Sequence, residues 1–286
     1  MKKYILNNGV EIPGIGFGTW RIPGGEDSLK ATLEAIEVGY RHIDTAALYE
    51  TEESVGKAVR ECGIPRDELF ITSKVWLDNR GYDKAMKACE ASLKALNMDY
   101  IDLYLIHWPS FTQYDTDWRT VNNGTWRALE HFYKQGAFRA IGVCNCMPHH
   151  IEAIMEDNEI KPSVNQIEFH PCYPQLAAAE FCHQNDILVE AWRPLGKGLI
   201  LDMPQLKAIA DKYGKTTAQV CMRWCLQHDT LPIVKTTHKE RMISNVDIWD
   251  FELTDEEMAY IDTFPPISWS GQHPDFVNLS GKTARS

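Results

Sequence analysis

Eight short apolar runs recur along the chain, near residues 14–19, 40–44, 69–74, 100–107, 138–144, 163–169, 187–192 and 230–235. Polar segments with helical periodicity separate them. Leu29, Leu33 and Ile36 follow i, i+4, i+7, and so do Cys89, Leu93 and Leu96. That spacing puts apolar side chains on one face of a helix. Strands alternating with helices in this way predict a parallel sheet with helices outside it. The run from Tyr100 to Ile106 is apolar apart from Asp102, as expected of a strand covered on both faces. Eight such units fit a closed (β/α)8 barrel better than an open six-stranded sheet. A chain of 286 residues suits that barrel as one domain spanning 1–286.

Finer signals extend this frame. Residues 2–13 read as a short hairpin turning at Asn8-Gly9, placed as a lid on the closed end of the barrel. Thr216 with Gln219, and Thr254 with Glu257, have capping-box spacing and mark two helix starts. Two stretches break the rhythm. Pro109 to Asn123 is polar, bears aromatic residues and is too long for an ordinary connection, so a functional loop on the active rim is expected. The tail from Phe264 to Ser286 contains Pro265, Pro266, Trp269 and Pro274, lacks helical periodicity and is expected to fold back over the same rim.

Composition narrows the classes of partner. Lysine and arginine total 29 against 40 acidic residues, a net charge of −11, which argues against nucleic acid and anionic membrane surfaces. The N-terminal residues lack the apolar stretch of a secretory signal, and no run approaches a membrane span. The eight cysteines are dispersed without a Cys-x-x-Cys pair. A cytoplasmic protein is the expectation. Cys144 and Cys146, near His149 and His150, lack the wider paired spacing of a zinc site, so no metal is expected.

Candidate chemistry gathers at strand ends. Asp44, Lys74 and His107 each close one apolar run, and Tyr49 follows the first of these. In a parallel α/β protein this places four proton-handling groups on one rim. A tyrosine alone is a poor acid at neutral pH, and a nearby ammonium is expected to lower its pKa. Asp44 would keep a buried Lys74 charged, and His107 offers a further donor. The set suits proton delivery to a carbonyl oxygen, or its removal from an alcohol. Gly14-Ile-Gly-Phe-Gly18 has Gly-x-Gly-x-Gly spacing without the dinucleotide context, so it reads as a tight first barrel strand. Lys235-Thr-Thr-His-Lys-Glu-Arg241 follows the eighth strand and opens a helix, a setting suited to a phosphate group.

These residues bring a family into view. Gly16-Phe-Gly-Thr-Trp20, Gly39-Tyr-Arg-His-Ile-Asp-Thr-Ala46, Tyr49 with Gly56, and Thr72-Ser-Lys74 come first. Leu103 to Pro109, Ile141-Gly-Val-Cys-Asn145 and Val164-Asn-Gln-Ile-Glu168 follow in order. Over essentially its whole length the sequence resembles the aldo-keto reductases, in particular bacterial 2,5-diketogluconate reductase-like members. The resemblance implies a (β/α)8 barrel that reduces aldehydes or ketones with NADPH, reversibly and as a monomer. It implies Tyr49 as the acid, Lys74 and Asp44 as its tuning pair, and His107 as the residue that orients the carbonyl. It assigns the substrate pocket to Trp20, Tyr49, His107 and Trp108. Asn145 and Gln166 match the pair that holds the nicotinamide carboxamide, and Trp192 stands where a tyrosine usually stacks on the ring. Cys144 and Arg193 replace usual serines, Arg193 bringing a cation near the pyrophosphate. Lys235, Thr236 and Arg241 match a clamp on the 2′-phosphate, and Asn245 a neighbouring adenine contact. Thr19, Trp20, Asp44, Leu195 and Lys197 complete the expected cofactor contacts. Two rival readings have different signatures. One is a metal-dependent barrel hydrolase using His42, Asp44, His107 and His170. The other is an NADPH-binding sensor or regulatory barrel with little turnover.

Overall fold

The computed structural model describes residues 2–110 and 115–275. The chain opens with an antiparallel hairpin, β1 (Lys3–Ile5) and β2 (Glu11–Pro13). Eight parallel strands then close into a barrel: β3 (Gly16–Gly18), β4 (His42–Asp44), β5 (Phe70–Val75), β6 (Ile101–Ile106), β7 (Phe138–Cys144), β8 (Val164–Glu168), β9 (Leu188–Trp192) and β10 (Thr230–Val234). Each strand pairs with its sequence neighbour, and β10 pairs with β3 to complete the ring. All eight fall on the apolar runs of the sequence. Helices α1 (Glu26–Val38), α2 (Glu52–Glu61), α3 (Tyr82–Leu96), α4 (Trp118–Lys134), α5 (Pro148–Asp157) and α6 (Leu176–Gln184) follow successive strands. Then come α7 (Pro204–Tyr213), α8 (Thr217–Gln227), α9 (Lys239–Val246) and α10 (Asp255–Asp262). None of these helices is long and apolar enough to cross a membrane.

The core has an inner and an outer shell. Phe70, Leu103, Leu105, Ala140, Leu231 and Ile233 fill the barrel interior with Leu6 and Ile12 of the hairpin. Tyr104, Ile106, Ile141, Val143, Val189 and Ala191 face the helices instead. The alternation follows from the two-residue period of a strand. The hairpin thus plugs the end where the strands begin, as expected, and is pinned there. Asn7 donates to Pro162 O at 2.8 Å, and Asn8 donates to Arg139 O at 2.9 Å. Close approach explains the glycines of β3: a Cβ on Gly16 would stand 2.9 Å from His42 Nδ1, and one on Gly18 3.2 Å from Ile233. Asp102, the one charge in β6, accepts from the Ile71 N–H at 2.9 Å and from Arg66 and Arg139 at 2.7 and 2.6 Å. Its burial is therefore fully compensated.

Both expected capping boxes form. The Thr216 hydroxyl accepts from the Gln219 N–H at 3.2 Å while Gln219 accepts from the Thr216 N–H at 2.8 Å. Thr254 and Glu257 repeat the exchange at 3.2 and 2.9 Å. One boundary differs. The stretch Pro109–Asn123 was expected to be loop throughout, but α4 begins at Trp118. Residues 111–114 lie outside the described residues. The sequence Thr120-Val-Asn-Asn-Gly-Thr125 has poor helix propensity, and tertiary bonds override it. Asn122 donates to Pro109 O at 3.0 Å, and Asn123 to Asp157 at 2.5 Å. Gly124 lets α4 meet the start of α3, where a Cβ would stand 3.2 Å from Tyr82 N.

Candidate active site

The four expected groups converge where β4, β5 and β6 end. Asp44 is the last residue of β4, Lys74 is in β5 next to its end, and His107 directly follows β6. Tyr49 sits on a short 3-10 turn, Ala47–Tyr49, after β4. The buried Lys74 ammonium donates to both oxygens of Asp44 at 2.7 Å and to Thr45 O at 2.9 Å. All three of its protons thus have acceptors. Lys74 Nζ stands 5.0 Å from the Tyr49 ring centroid. The Tyr49 hydroxyl lies 3.4 Å from His107 Nε2, and their rings meet edge to face at 5.5 Å.

The electrostatics correct one expectation. Burial is the largest single influence on Lys74 and opposes its charge, but Asp44, by charge and hydrogen bond, together with Tyr49 and Cys144 outweighs it and pushes the lysine pKa up. Tyr49 was expected to be acidified. Instead burial pushes its pKa above 10; Lys74 pulls it down by less, and Asp44 adds to the rise. Tyr49 is only half-buried, so solvent relieves part of that cost. The phenol therefore holds its proton at neutral pH, and the ammonium is placed to stabilise the phenolate left after transfer. Burial, seconded by Lys74, pushes His107 well below its ordinary range and keeps the imidazole neutral.

Aromatic walls surround this group. The Trp20 ring is 4.7 Å from Tyr49, and Trp76 meets His107 edge to face at 5.0 Å. Trp108 packs with Trp76, Leu77 and Leu48. Sequence reasoning missed Trp76; its position two residues after Lys74 was the signal. The tail covers the opposite side of the rim as far as Asp275, and residues 276–286 lie outside the described residues. The carboxylate of Glu168, itself buried, accepts from the Ser270 N–H at 3.0 Å and hydroxyl at 2.6 Å. Trp269 stacks on Tyr173, and Ser268 donates to Gly196 O. His149 and His150 both reach Asp275, at 2.9 and 3.2 Å. His150 Nδ1 accepts from the Met147 N–H at 3.1 Å. That places the proton of a neutral His150 on Nε2, making the cluster a hydrogen-bonded latch rather than a ligand set.

The expected cofactor residues line the same face. Thr19 is buried, its hydroxyl donating to Asp44 O at 3.1 Å. Asn145 donates to His107 O at 3.0 Å and accepts from the Trp192 indole at 2.8 Å. Cys144 places its thiol 3.8 Å from Gln166 Oε1. Asn145, Arg193 and Lys197 have φ of 58°, 56° and 57°, a left-handed conformation that costs residues other than glycine. Arg193 leans toward Glu168 at 3.5 Å, near the tail. Leu195 is partly buried against the core, beside the turn carrying Lys197. After β10, Thr236 is buried and Lys235 and Arg241 are exposed, and neither cation forms an ion pair among the described residues. Asn245, farther along α9, is buried. Two unpaired cations beside a hydroxyl at a helix start, on a chain of net charge −11, fit the phosphate of a dinucleotide. The hydrolase set does not gather around a metal: Asp44 is taken by an ammonium, and His42 Nε2 bonds Thr72 at 2.9 Å.

Comparison with known proteins agrees with this geometry. The profile of the Aldo/keto reductase family matches residues 14–265. The chain belongs to that family. It is 47% identical to glyoxal reductase of Bacillus subtilis over 94% of this chain and 95% of that protein. It is 44% identical to the 9,11-endoperoxide prostaglandin H2 reductase of Trypanosoma cruzi, covering 98% and 97%. A Bombyx mori aldo-keto reductase solved in complex with NADP superposes with a TM-score of 0.85 at 37% identity, covering 93% of both chains. This aldo-keto reductase is an NADP-dependent oxidoreductase that interconverts a carbonyl and an alcohol.

Proposed function

We propose that Tyr49 is the proton donor of this reductase, that Lys74 and Asp44 support it, and that His107 orients the carbonyl. The observation that carries the proposal is the triply bonded Lys74 ammonium beside the Tyr49 ring, with His107 Nε2 at 3.4 Å from the phenol. NADPH, when bound, supplies the hydride to the carbonyl carbon. Tyr49 gives its proton to the carbonyl oxygen as charge builds there, and the ammonium stabilises the remaining phenolate. Neutral His107, with its proton on Nε2, offers a second hydrogen bond to that oxygen. Trp20, Trp76 and Trp108 keep the site apolar, which strengthens these interactions.

For the cofactor, Asn145 and Gln166 hold the carboxamide and Trp192 flanks the ring. Lys235, Thr236 and Arg241 clamp the 2′-phosphate. The left-handed backbone at Asn145, Arg193 and Lys197 supports this placement, because such strain concentrates at functional loops. We place residues 1–286 in one barrel domain acting as a monomer in the cytoplasm. All eight cysteines are free thiols, which supports a reducing compartment. The substrate class we favour is small reactive aldehydes of the glyoxal type, on the strength of the Bacillus relative. A panel of aldehydes, keto acids, sugars and steroids, followed by loss of NADPH absorbance, tests this. Preference for steroids over small dicarbonyls would overturn it.

A further inference from the structure

Gln166 in β8 and Glu190 in β9 are paired in register and buried. A glutamine amide has two N–H hydrogens, and here two carboxyl groups take them. Gln166 Nε2 donates to Asp44 Oδ2 at 2.9 Å and to Glu190 Oε2 at 2.8 Å. The amide nitrogen is thereby saturated. Gln166 Oε1 is left with a single weak donor, the Cys144 thiol at 3.8 Å.

The proton-transfer chemistry does not require Glu190, and its burial is costly. One of its oxygens has no hydrogen-bond partner among the described residues. His42 Nε2 lies 3.9 Å away and is already held by Thr72. Burial, then the charge of Asp44, pushes Glu190 up to about 8, while the Gln166 N–H and Lys74 favour its ionised form. Turning the Gln166 amide over would point its oxygen at the Asp44 carboxylate, which is ion-paired with Lys74. A carboxylate accepts hydrogen bonds and does not donate them, so that orientation is closed.

We propose that Glu190 is a positioning residue that, together with Asp44, locks the Gln166 amide so that Gln166 meets the nicotinamide carboxamide only as an acceptor. This rests on the assignment of Gln166 to the carboxamide. Glu190→Leu has a similar volume but no acceptor, so it leaves one Gln166 N–H unheld and loosens the lock. Titration of the variant by fluorescence is expected to show NADPH bound about 10-fold more weakly, equivalent to about 1.4 kcal/mol. Adenosine 2′,5′-bisphosphate, which lacks the nicotinamide, should bind as to wild type. In a Gln166→Ala background, Glu190→Leu should add no further loss. Unchanged NADPH affinity overturns the proposal, and so does equal weakening of both ligands, which marks a merely structural role. Wild-type protein that binds neither ligand would instead sink the cofactor assignment. A second measurement needs no folded Glu190 variant. In 15N-labelled wild type, the Gln166 side-chain N–H pair, assigned by its absence in Gln166→Ala, should resist solvent exchange with and without NADPH. Exchange at the rate of a free amide refutes the lock.

Discussion

Replacing Asp44 with asparagine removes the one carboxylate that touches Lys74 among the described residues and leaves an ammonium in a fully buried position. Breaking such a pair from one side costs about 3–5 kcal/mol, because the remaining charge is uncompensated. In a domain of this size that corresponds to roughly 10 °C in Tm. The working pH matters. The pair raises the lysine above its ordinary 10.5, so its contribution is intact below that value and is lost only as the pH climbs past it. Calorimetry at pH 7 therefore reads the full effect. Turnover should fall with stability in Asp44→Asn, because a lysine that sheds its proton no longer supports the Tyr49 phenolate. Adding Lys74→Met separates the two. A buried pair exchanged for apolar groups is often neutral, so the double variant should recover most of the lost Tm. It should recover none of the lost kcat. If Asp44→Asn melts within about 2 °C of wild type, where this reasoning places the loss near 10 °C, the pair is not the buried charge compensation described here. If the double variant regains turnover, the ammonium has no part in proton transfer.

Other changes test separate links. Tyr49→Phe should cost about 10²–10⁴-fold in kcat with NADPH affinity retained; wild-type turnover on aldehydes would remove Tyr49 from its role. Arg241→Ala should weaken NADPH far more than NADH in equilibrium titration, whereas equal losses would remove the phosphate clamp. His107 is held neutral, its protonation displaced to pH well below the ordinary imidazole range. The kcat/KM profile should therefore show no inflection near about 6.5, and one that disappears in His107→Gln would contradict this electrostatic picture. Glu168→Ala frees Ser270 and should make the tail more sensitive to limited proteolysis while leaving Tm nearly unchanged.

The barrel was legible because buried parallel strands leave continuous apolar runs, and three of them end on a proton-handling residue, Asp44, Lys74 or His107. The capping boxes were legible because they are local, closing within four residues. Long-range contacts were not. No local pattern marks residues 118–123 as helix, since Asn122 and Asn123 are held from Pro109 and Asp157. The pull of Asp44 and Lys74 on Tyr49 could be named from the sequence, but the cost of burial that outweighs it depends on packing. Nor does any local pattern announce that Arg193 meets Glu168 of the neighbouring strand. Glu190 did leave a trace, a lone charge inside the apolar run Leu188–Trp192.

The plug formed by the N-terminal hairpin has a practical corollary. Lys2 and Lys3 sit across the molecule from the catalytic rim, while Asp275 lies beside it. A purification tag or a surface linker attached ahead of Lys2 would leave the mouth turned toward solution. A linker inserted at Asp275 would instead start on the rim that carries the catalytic groups.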